Sequence, residues 1–510
     1  VTVSRAVSGV DVLAALDDDQ RAAVTAMPGP VGILAGPGTG KTRTIAHRIA
    51  HAVQSGQWRP QQVLAVTFTN RAAAELRHRL RMLGVDDVST GTFHAVALRQ
   101  LRYFWPRLVG GAFPRIVADK TPFLTQAAGQ LGVRLSDFDV RDVAADLEWA
   151  KVLQCPPQNY PALARRHGRV SAKPADETAA LYDRYEALKS AAHCLDFEDV
   201  LLLLVALLET EPEAVRMVRG RYQCFVVDEY QDVNALEQRL LDAWLGSRTE
   251  VCVVGDPRQA IYGFAGATDR YLVEFAERYP QATMVSLTRN YRSTQEILAA
   301  AHRLAGGTPL IAVRGSGVSP TVVAYPTVEA EAQGVAASVA ELISSGVSPD
   351  DIAVLVRRHA LAEPISAAFD EVGIRSVRIA TASRTGVPRT AGAVTIASLH
   401  AAKGLEWEVV FLPGWADGIL PDARALSVDA VAEEQRLAYV GVTRARRMLV
   451  VSYPRSVQRA GERVECEPSR FLAAFAASAR PAVGEPSVEP AEKPGGCGAA
   501  GGVGAAGPAS

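Results

Sequence analysis

The chain has 510 residues, 48% of them hydrophobic, with 54 Lys and Arg against 55 Asp and Glu for a net charge of −1. That length fits about three or four domains, and the balanced charge gives no global sign of nucleic-acid binding, so any such surface has to be local. Cys155, Cys194, Cys224, Cys252, Cys466 and Cys497 form no C-x-x-C pair, which argues against a zinc site or disulfide framework and for a reducing compartment.

A strand is predicted at 31–34, running into Ala35-Gly36-Pro37-Gly38-Thr39-Gly40-Lys41-Thr42 and then a helix to about Val53. This reads as a phosphate-binding loop, with Ala35 where the strict pattern wants glycine; a small residue still fits. The glycines let backbone N–H groups cradle a polyphosphate at a helix N-terminus. Lys41 then reaches the β- and γ-phosphates, and Thr42 offers its hydroxyl to Mg²⁺. A strand at 63–68 is followed by a long, mostly helical stretch over about 96–216, expected as an all-α insertion. Within it the longest apolar run, Val200 to Leu208, is far too short to span a bilayer.

The next predicted strand, 224–227, ends in Asp228-Glu229, where a parallel sheet exposes its ligand-facing edge. Asp228 suits Mg²⁺, and Glu229 suits orienting and deprotonating an attacking water. Alone, the pair could equally cap a following helix. With the phosphate loop upstream, Mg²⁺-dependent ATP hydrolysis is the expectation, and the lack of an Asn-Lys-x-Asp motif weighs against GTP.

Strands at 251–254 and 284–287 complete a first block, and strands near 321–325, 352–356, 394–398, 409–412 and 448–452 make a second. Both blocks suggest βαβ units and a parallel sheet, an α/β fold. The basic groups Arg77-His78-Arg79-Arg81, Arg99 with Arg102, Arg165-Arg166 and Arg444-Arg446-Arg447 each fit a solvated helix face when taken singly. Arg292 and Arg444 are candidates for the charge that develops in phosphoryl transfer. From about Pro481 the composition turns to Pro, Gly, Ala and Ser, as in a disordered tail. With no basic-then-apolar leader, a soluble cytoplasmic protein is expected.

The ordered set of motifs resembles the UvrD/Rep/PcrA-type superfamily 1A DNA helicases, most of all UvrD-like helicases of high-GC bacteria. Leu16 to Val24 resembles their adenine-reading Q motif, residues 35–42 motif I, Thr67 to Ala73 motif Ia and Thr90 to Ala95 motif Ib. Val227 to Asp232 matches motif II, Gly255 to Phe264 resembles motif III, and Asn290 to Ser293 motif IV. Ser398 to Trp407 matches motif V, and Tyr439 to Arg446 motif VI.

The resemblance implies two RecA-like motor domains: 1–95 with 217–292, and 293–476, with 96–216 inserted in the first. It implies ATP and Mg²⁺ as cofactors, single-stranded DNA and DNA junctions as partners, 3′→5′ movement, a repair role and a repair-protein partner. By resemblance, Gln20 reads adenine, Tyr291 stacks on it, and Arg43 sits beside the nucleotide. Gln259 senses the γ-phosphate, Arg292 and Arg444 are arginine fingers, and Gly404 and Glu406 lie at the nucleotide, Glu406 on the ribose. Phe68, Thr92, His94, Tyr262, Phe264 and His400 face single-stranded DNA, where aromatics give a sequence-tolerant grip. Core packing is the bland alternative for Phe68, Tyr262 and Phe264.

Departures are expected to matter. Relatives carry Trp with flanking arginines in motif III, whereas Tyr262-Gly263-Phe264-Ala265-Gly266 stands here, removing two possible phosphate contacts. The helical 2B domain that full-length relatives insert between motifs IV and V is reduced to a short loop near 381–392, which puts strand separation in doubt. Residues 477–510 form a tail without the cysteine cluster that some relatives carry. An ATPase-defective or uncoupled DNA-binding adaptor is the alternative function, but the intact set Lys41, Thr42, Asp228, Glu229, Gln259, Arg292 and Arg444 weighs against it.

Overall fold

In the computed structural model, which describes residues 11–379, 390–459 and 461–475, the short apolar runs of the first block pair in parallel as one six-stranded sheet. Its strands are β1 (Val31–Ala35), β2 (Val63–Thr67), β3 (Ser89–Thr92), β4 (Cys224–Val227), β5 (Val251–Gly255) and β6 (Thr283–Leu287), in spatial order β3-β2-β4-β5-β1-β6. The two-residue period of a strand sends Leu64, Val66, Phe225 and Val227 into one core and Val63, Ala65, Cys224 and Val226 into the other. Helices α1 (Asp18–Thr25), α2 (Lys41–Gln54) and α3 (Asn70–Met82) cover the second of these faces. Because every strand runs the same way, the loops after β1, β2, β4 and β5 emerge at one carboxyl edge.

The segment expected as a single insertion divides between two cores. Helices α4 (Phe93–Phe104), α5 (Thr121–Leu131), α6 (Asp137–Val152), α7 (Tyr160–Arg166), α8 (Ala175–Ala191), α9 (Phe197–Thr210) and α10 (Pro212–Arg221) follow one another. α4, α9 and α10 join the first motor domain's core through Leu101, Leu204 and Val218, while α5 to α8 enclose a separate core around Leu124, Leu147, Tyr160 and Leu181. α9 is apolar on nearly every side, and it is covered chiefly by other helices of the first motor domain, α4 and α10 among them. At the junction, Lys151 and Lys189 both donate to Asp196, with Glu186 and Asp199 alongside. Glu186, Asp196 and Asp199 have the spacing of metal ligands, but these ammonium groups already fill the space between them.

The second block forms a second parallel sheet of β7 (Thr321–Tyr325), β8 (Ile352–Val356), β9 (Ser376–Ile379), β10 (Val394–Ser398), β11 (Trp407–Leu412) and β12 (Ala445–Pro454), in order β7-β12-β11-β8-β10-β9. β9 and β10 are adjacent, with Ser376 opposite Val394, and only residues 380–393 connect them. Most of the short loop expected near 381–392 lies outside the described residues, as does the whole of the expected tail. β3 and β9, not predicted as strands, are both edge strands: Ser-Thr-Gly-Thr and Ser-Val-Arg-Ile bury too little to carry an apolar run. Among the described residues no helix is long and apolar enough to cross a membrane.

Candidate functional site

The phosphate loop leaves β1 and enters α2 through Gly38 (φ 70°) and Gly40 (φ 85°), both left-handed. Neither tolerates a side chain: a Cβ on Gly38 would lie 2.6 Å from the Cβ of Arg292, and one on Gly40 2.8 Å from Gln20 Nε2. Lys41 Nζ donates to the Ala35 (3.1 Å) and Gly36 (3.4 Å) carbonyls, folding back over the loop it serves. Thr39 closes the loop with a 2.8 Å bond to the Gly36 carbonyl, and Asn290 Nδ2 reaches the Pro37 carbonyl at 2.5 Å. Asn290 Oδ1 also accepts from the Arg292 and Ser293 amides, so one side chain ties motif IV to the phosphate loop.

On the adenine side, Asp17 caps α1 and positions Gln20, which is fully buried. Gln20 Nε2 donates to the Thr39 carbonyl at 2.9 Å, whereas its Oε1 is buried without a hydrogen-bond partner. An orphaned buried acceptor is costly, and the exocyclic amino group of adenine is a donor that fits it. Tyr291 is partly exposed, its hydroxyl 2.5 Å from Asp17 Oδ2 and its amide bonded to the Gly38 carbonyl. Arg43 donates to the Ala15 carbonyl at the same edge.

At the end of β4, Asp228 is buried with the half-buried Glu229 beside it, and the Thr42 hydroxyl faces the Asp228 carboxylate and favours its charge. Burial, and then the charge of Glu229, push the Asp228 carboxyl up to about 7. Burial also opposes the charge on Glu229, but Lys41, Lys403 and Arg444 together hold it below the ordinary glutamate value. A hard divalent cation fits this donor set, since it relieves the like-charge crowding with oxygen ligands from Asp228 and Thr42. Glu229 itself has φ 53°, a left-handed backbone rare outside glycine and common where a site holds a residue in place.

Two arginines face the cleft, Arg292 from the end of the first motor domain and Arg444 from the second. Arg444 is buried; it donates to the Val440 and Leu405 carbonyls and reaches Gln259 Oε1 at 3.3 Å across the cleft. Burial, and then Arg292, draw its guanidinium down to about 9. Gln259 is anchored by Asp256, which accepts from its Nε2 at 2.8 Å. Arg292 pairs with Glu406, which also faces Arg446 at 3.4 Å. Glu406, expected on the ribose, is thus engaged by arginines, and Gly404 (φ 80°) makes the left-handed turn two residues before it.

Four of the six residues expected to face DNA form one aromatic row. Phe68 stacks on Tyr262 (5.0 Å between centroids), Tyr262 neighbours Phe264 (6.1 Å), and Phe264 meets His400 edge-on (5.6 Å). Phe68 is 40% and Phe264 53% exposed, so core packing is not their role. Burial, then Arg357 and Lys403, depress the His400 ring to about 3, which leaves it neutral near pH 7. Thr92 and His94 are not brought into the row. The Thr92 hydroxyl caps α4 by accepting from the Ala95 amide, and His94 packs edge-on against Phe197 with Glu237 at 3.9 Å. Asp17, Asn290, Asp256, Asp232 and Lys403 also border the site and were not singled out from sequence, although all five lie within the quoted motifs.

Residues 16–280 match the family model described as UvrD/REP helicase N-terminal domain, and residues 285–383 and 375–456 match the UvrD-like helicase C-terminal domain. The chain is 38% identical to the ATP-dependent DNA helicase UvrD2 of Mycobacterium tuberculosis (strain ATCC 25618 / H37Rv), over 92% of this chain and 83% of that protein. It is 26% identical to the ATP-dependent DNA helicase PcrA of Leuconostoc citreum, over 90% and 84%. Against PcrA of Bacillus subtilis (strain 168) identity is 30%, over 71% of this chain and 50% of that protein.

Proposed function

Because this chain belongs to the UvrD/REP helicase family of ATP-dependent DNA helicases, we propose that it is a Mg²⁺-dependent ATPase that drives itself 3′→5′ along single-stranded DNA in repair, in the cytoplasm, with a repair protein as partner. The observation that carries this reading is the continuity of one short segment. Gln259, in contact with Arg444 at the hydrolytic cleft, is three residues from Tyr262 and five from Phe264 in the aromatic row.

In this reading Gln20 and Tyr291 hold the adenine, with Arg43 beside it. The loop from Ala35 to Gly40 and Lys41 grips the phosphates. Thr42 and Asp228 hold Mg²⁺, which when bound neutralises phosphate charge. Glu229, kept ionised by the cations around it, takes the proton from the attacking water. Arg292, Arg444 and Gln259 meet the charge that develops on the γ-phosphate, and Arg292 exchanges its Glu406 partner for that phosphate while Glu406 turns to the ribose beside Gly404. The row of Phe68, Tyr262, Phe264 and His400 stacks on bases, with Thr92 and His94 along the same carboxyl edge. Cleft closure and opening alternate the grip of the two motor domains.

The short connection between β9 and β10 supports the further reading that this chain lacks the helical domain relatives insert there. Duplex opening then needs a partner or a short duplex. The test is displacement of a labelled strand from 3′-tailed and 5′-tailed duplexes of graded length. Opening confined to short 3′-tailed duplexes is expected; opening from the 5′ tail contradicts the polarity, and efficient opening of long duplexes by the monomer contradicts the role given to the missing domain.

A further inference from the structure

Lys403 belongs to the second motor domain, in the connection from β10 to β11, yet the groups its ammonium touches belong to the first. Its Nζ donates to Asp232 Oδ2 (2.5 Å) and to the Gln259 backbone carbonyl (2.6 Å), and lies 5.1 Å from the centroid of the Tyr262 ring. Both ends of this contact are buried, the Lys403 side chain 8% exposed and Asp232 not at all. Tyr262 is the ring against which Phe68 stacks in the aromatic row. Asp232 leads the other way: Gln231 Nε2, fully buried, donates to Glu229 Oε2 at 2.5 Å and lies 3.4 Å from Asp232 Oδ2. One ammonium therefore touches the base-stacking row on one side and, through two side chains, the hydrolytic glutamate on the other. It also fixes the backbone of Gln259, whose side chain meets Arg444.

We propose that Lys403 is a positioning residue that makes hydrolysis depend on DNA: a base stacked on the row fixes Tyr262 beneath the ammonium, and Lys403 then holds Asp232 and the Gln259 backbone so that Glu229 and Gln259 face the γ-phosphate. This deepens the proposed function and rests on its assignment of the aromatic row to single-stranded DNA. The physical requirement is that the contact be made only when the two domains meet. The partners supply that, since Asp232, Gln259 and Tyr262 all lie in the first motor domain and Lys403 in the second. A contact made across such a boundary exists only when the domains are closed, and losing either partner there leaves the other buried and unpaired. The cation over the Tyr262 ring makes the same ammonium sensitive to where that ring sits.

The test is steady-state ATP hydrolysis by the full chain with and without a saturating oligo(dT). Wild type is compared with Lys403→Met, Lys403→Arg, Asp232→Asn and the Lys403→Met/Asp232→Asn double variant, and oligo(dT) affinity and thermal melting are measured on each. The ratio of DNA-stimulated to DNA-free kcat is expected to fall by about tenfold or more in Lys403→Met and in Asp232→Asn, with oligo(dT) affinity within about threefold of wild type. The double variant is expected to be no worse than either single one, because both remove the same link. Lys403→Arg, which keeps the charge and reach, is expected to recover part of the stimulation. Should Lys403→Met fail to fold, Asp232→Asn and Lys403→Arg carry the comparison. Equal losses with and without DNA, or losses that multiply in the double variant, overturn the inference and leave the pair as a structural bridge. Wild-type hydrolysis that ignores oligo(dT) overturns the DNA-coupled reading itself, and this inference with it.

Discussion

Replacing Phe264 with alanine isolates base stacking from every other contribution to DNA binding. The ring is 53% exposed, flanked by Tyr262 at 6.1 Å and His400 at 5.6 Å, so its free face is available to a base. Stacking of a base on an aromatic side chain is worth about 1–3 kcal/mol, so affinity for single-stranded DNA should drop by about 5- to 150-fold. The fold should hardly notice: half the ring is already in water, and its burial stabilises by about 1 kcal/mol. The substitution removes no cation, so the slope of log affinity against log salt should stay at the wild-type value. Fluorescence anisotropy with labelled oligo(dT) over a salt series, beside a thermal melt, reads all three. Affinity within twofold of wild type, or a changed salt slope, refutes the assignment of this ring to base stacking.

Gln20→Ala should raise KM for ATP by about 5- to 100-fold, the cost of about 1–3 kcal/mol for one well-placed polar contact, with little change in kcat. ITP, which lacks the exocyclic amino group, should show no further rise in the variant; an equal rise with ITP places the lost contact elsewhere. Glu229→Gln should cut turnover by about 10²- to 10⁴-fold while nucleotide affinity stays within a few-fold; retained turnover removes Glu229 as the base. Glu331, away from the site, is buried and accepts from the Gly414 amide and the Ser452 hydroxyl, and burial raises its carboxyl from 4.5 to about 7. The folded state thus binds this proton more tightly than the unfolded chain, so its full stabilisation is present below about pH 4.5 and is lost as pH climbs through 7. Glu331→Gln should accordingly raise stability at pH 8 by up to about 3 kcal/mol and flatten its dependence between pH 5 and 8; an unchanged slope in denaturant melts contradicts this.

Contiguous chemistry was legible in the sequence, and partners across the fold were not. The runs 35–42 and 224–229 state their own strand, turn and charge, and the structure builds β1, the phosphate loop, α2 and β4 from them. Tyr291 and Asp17, Arg292 and Glu406, and Lys403 and Asp232 are joined only by the folding of distant segments. Nothing in local composition says that Glu406 will face two arginines or that Thr92 will use its hydroxyl as a helix cap. The apolar run at Val200–Leu208 was read as part of a separate helical insertion because periodicity reports how much of a helix is buried, and not against what. It buries in the core of the first motor domain, against helices there that include α4.

The central claim is a motor whose hydrolysis is coupled to DNA, and ATP hydrolysis by the purified protein with and without single-stranded DNA, beside Lys41→Ala, tests it most directly. The account predicts strong stimulation by DNA that disappears in Lys41→Ala. Hydrolysis indifferent to DNA, or DNA binding with no hydrolysis at all, contradicts it.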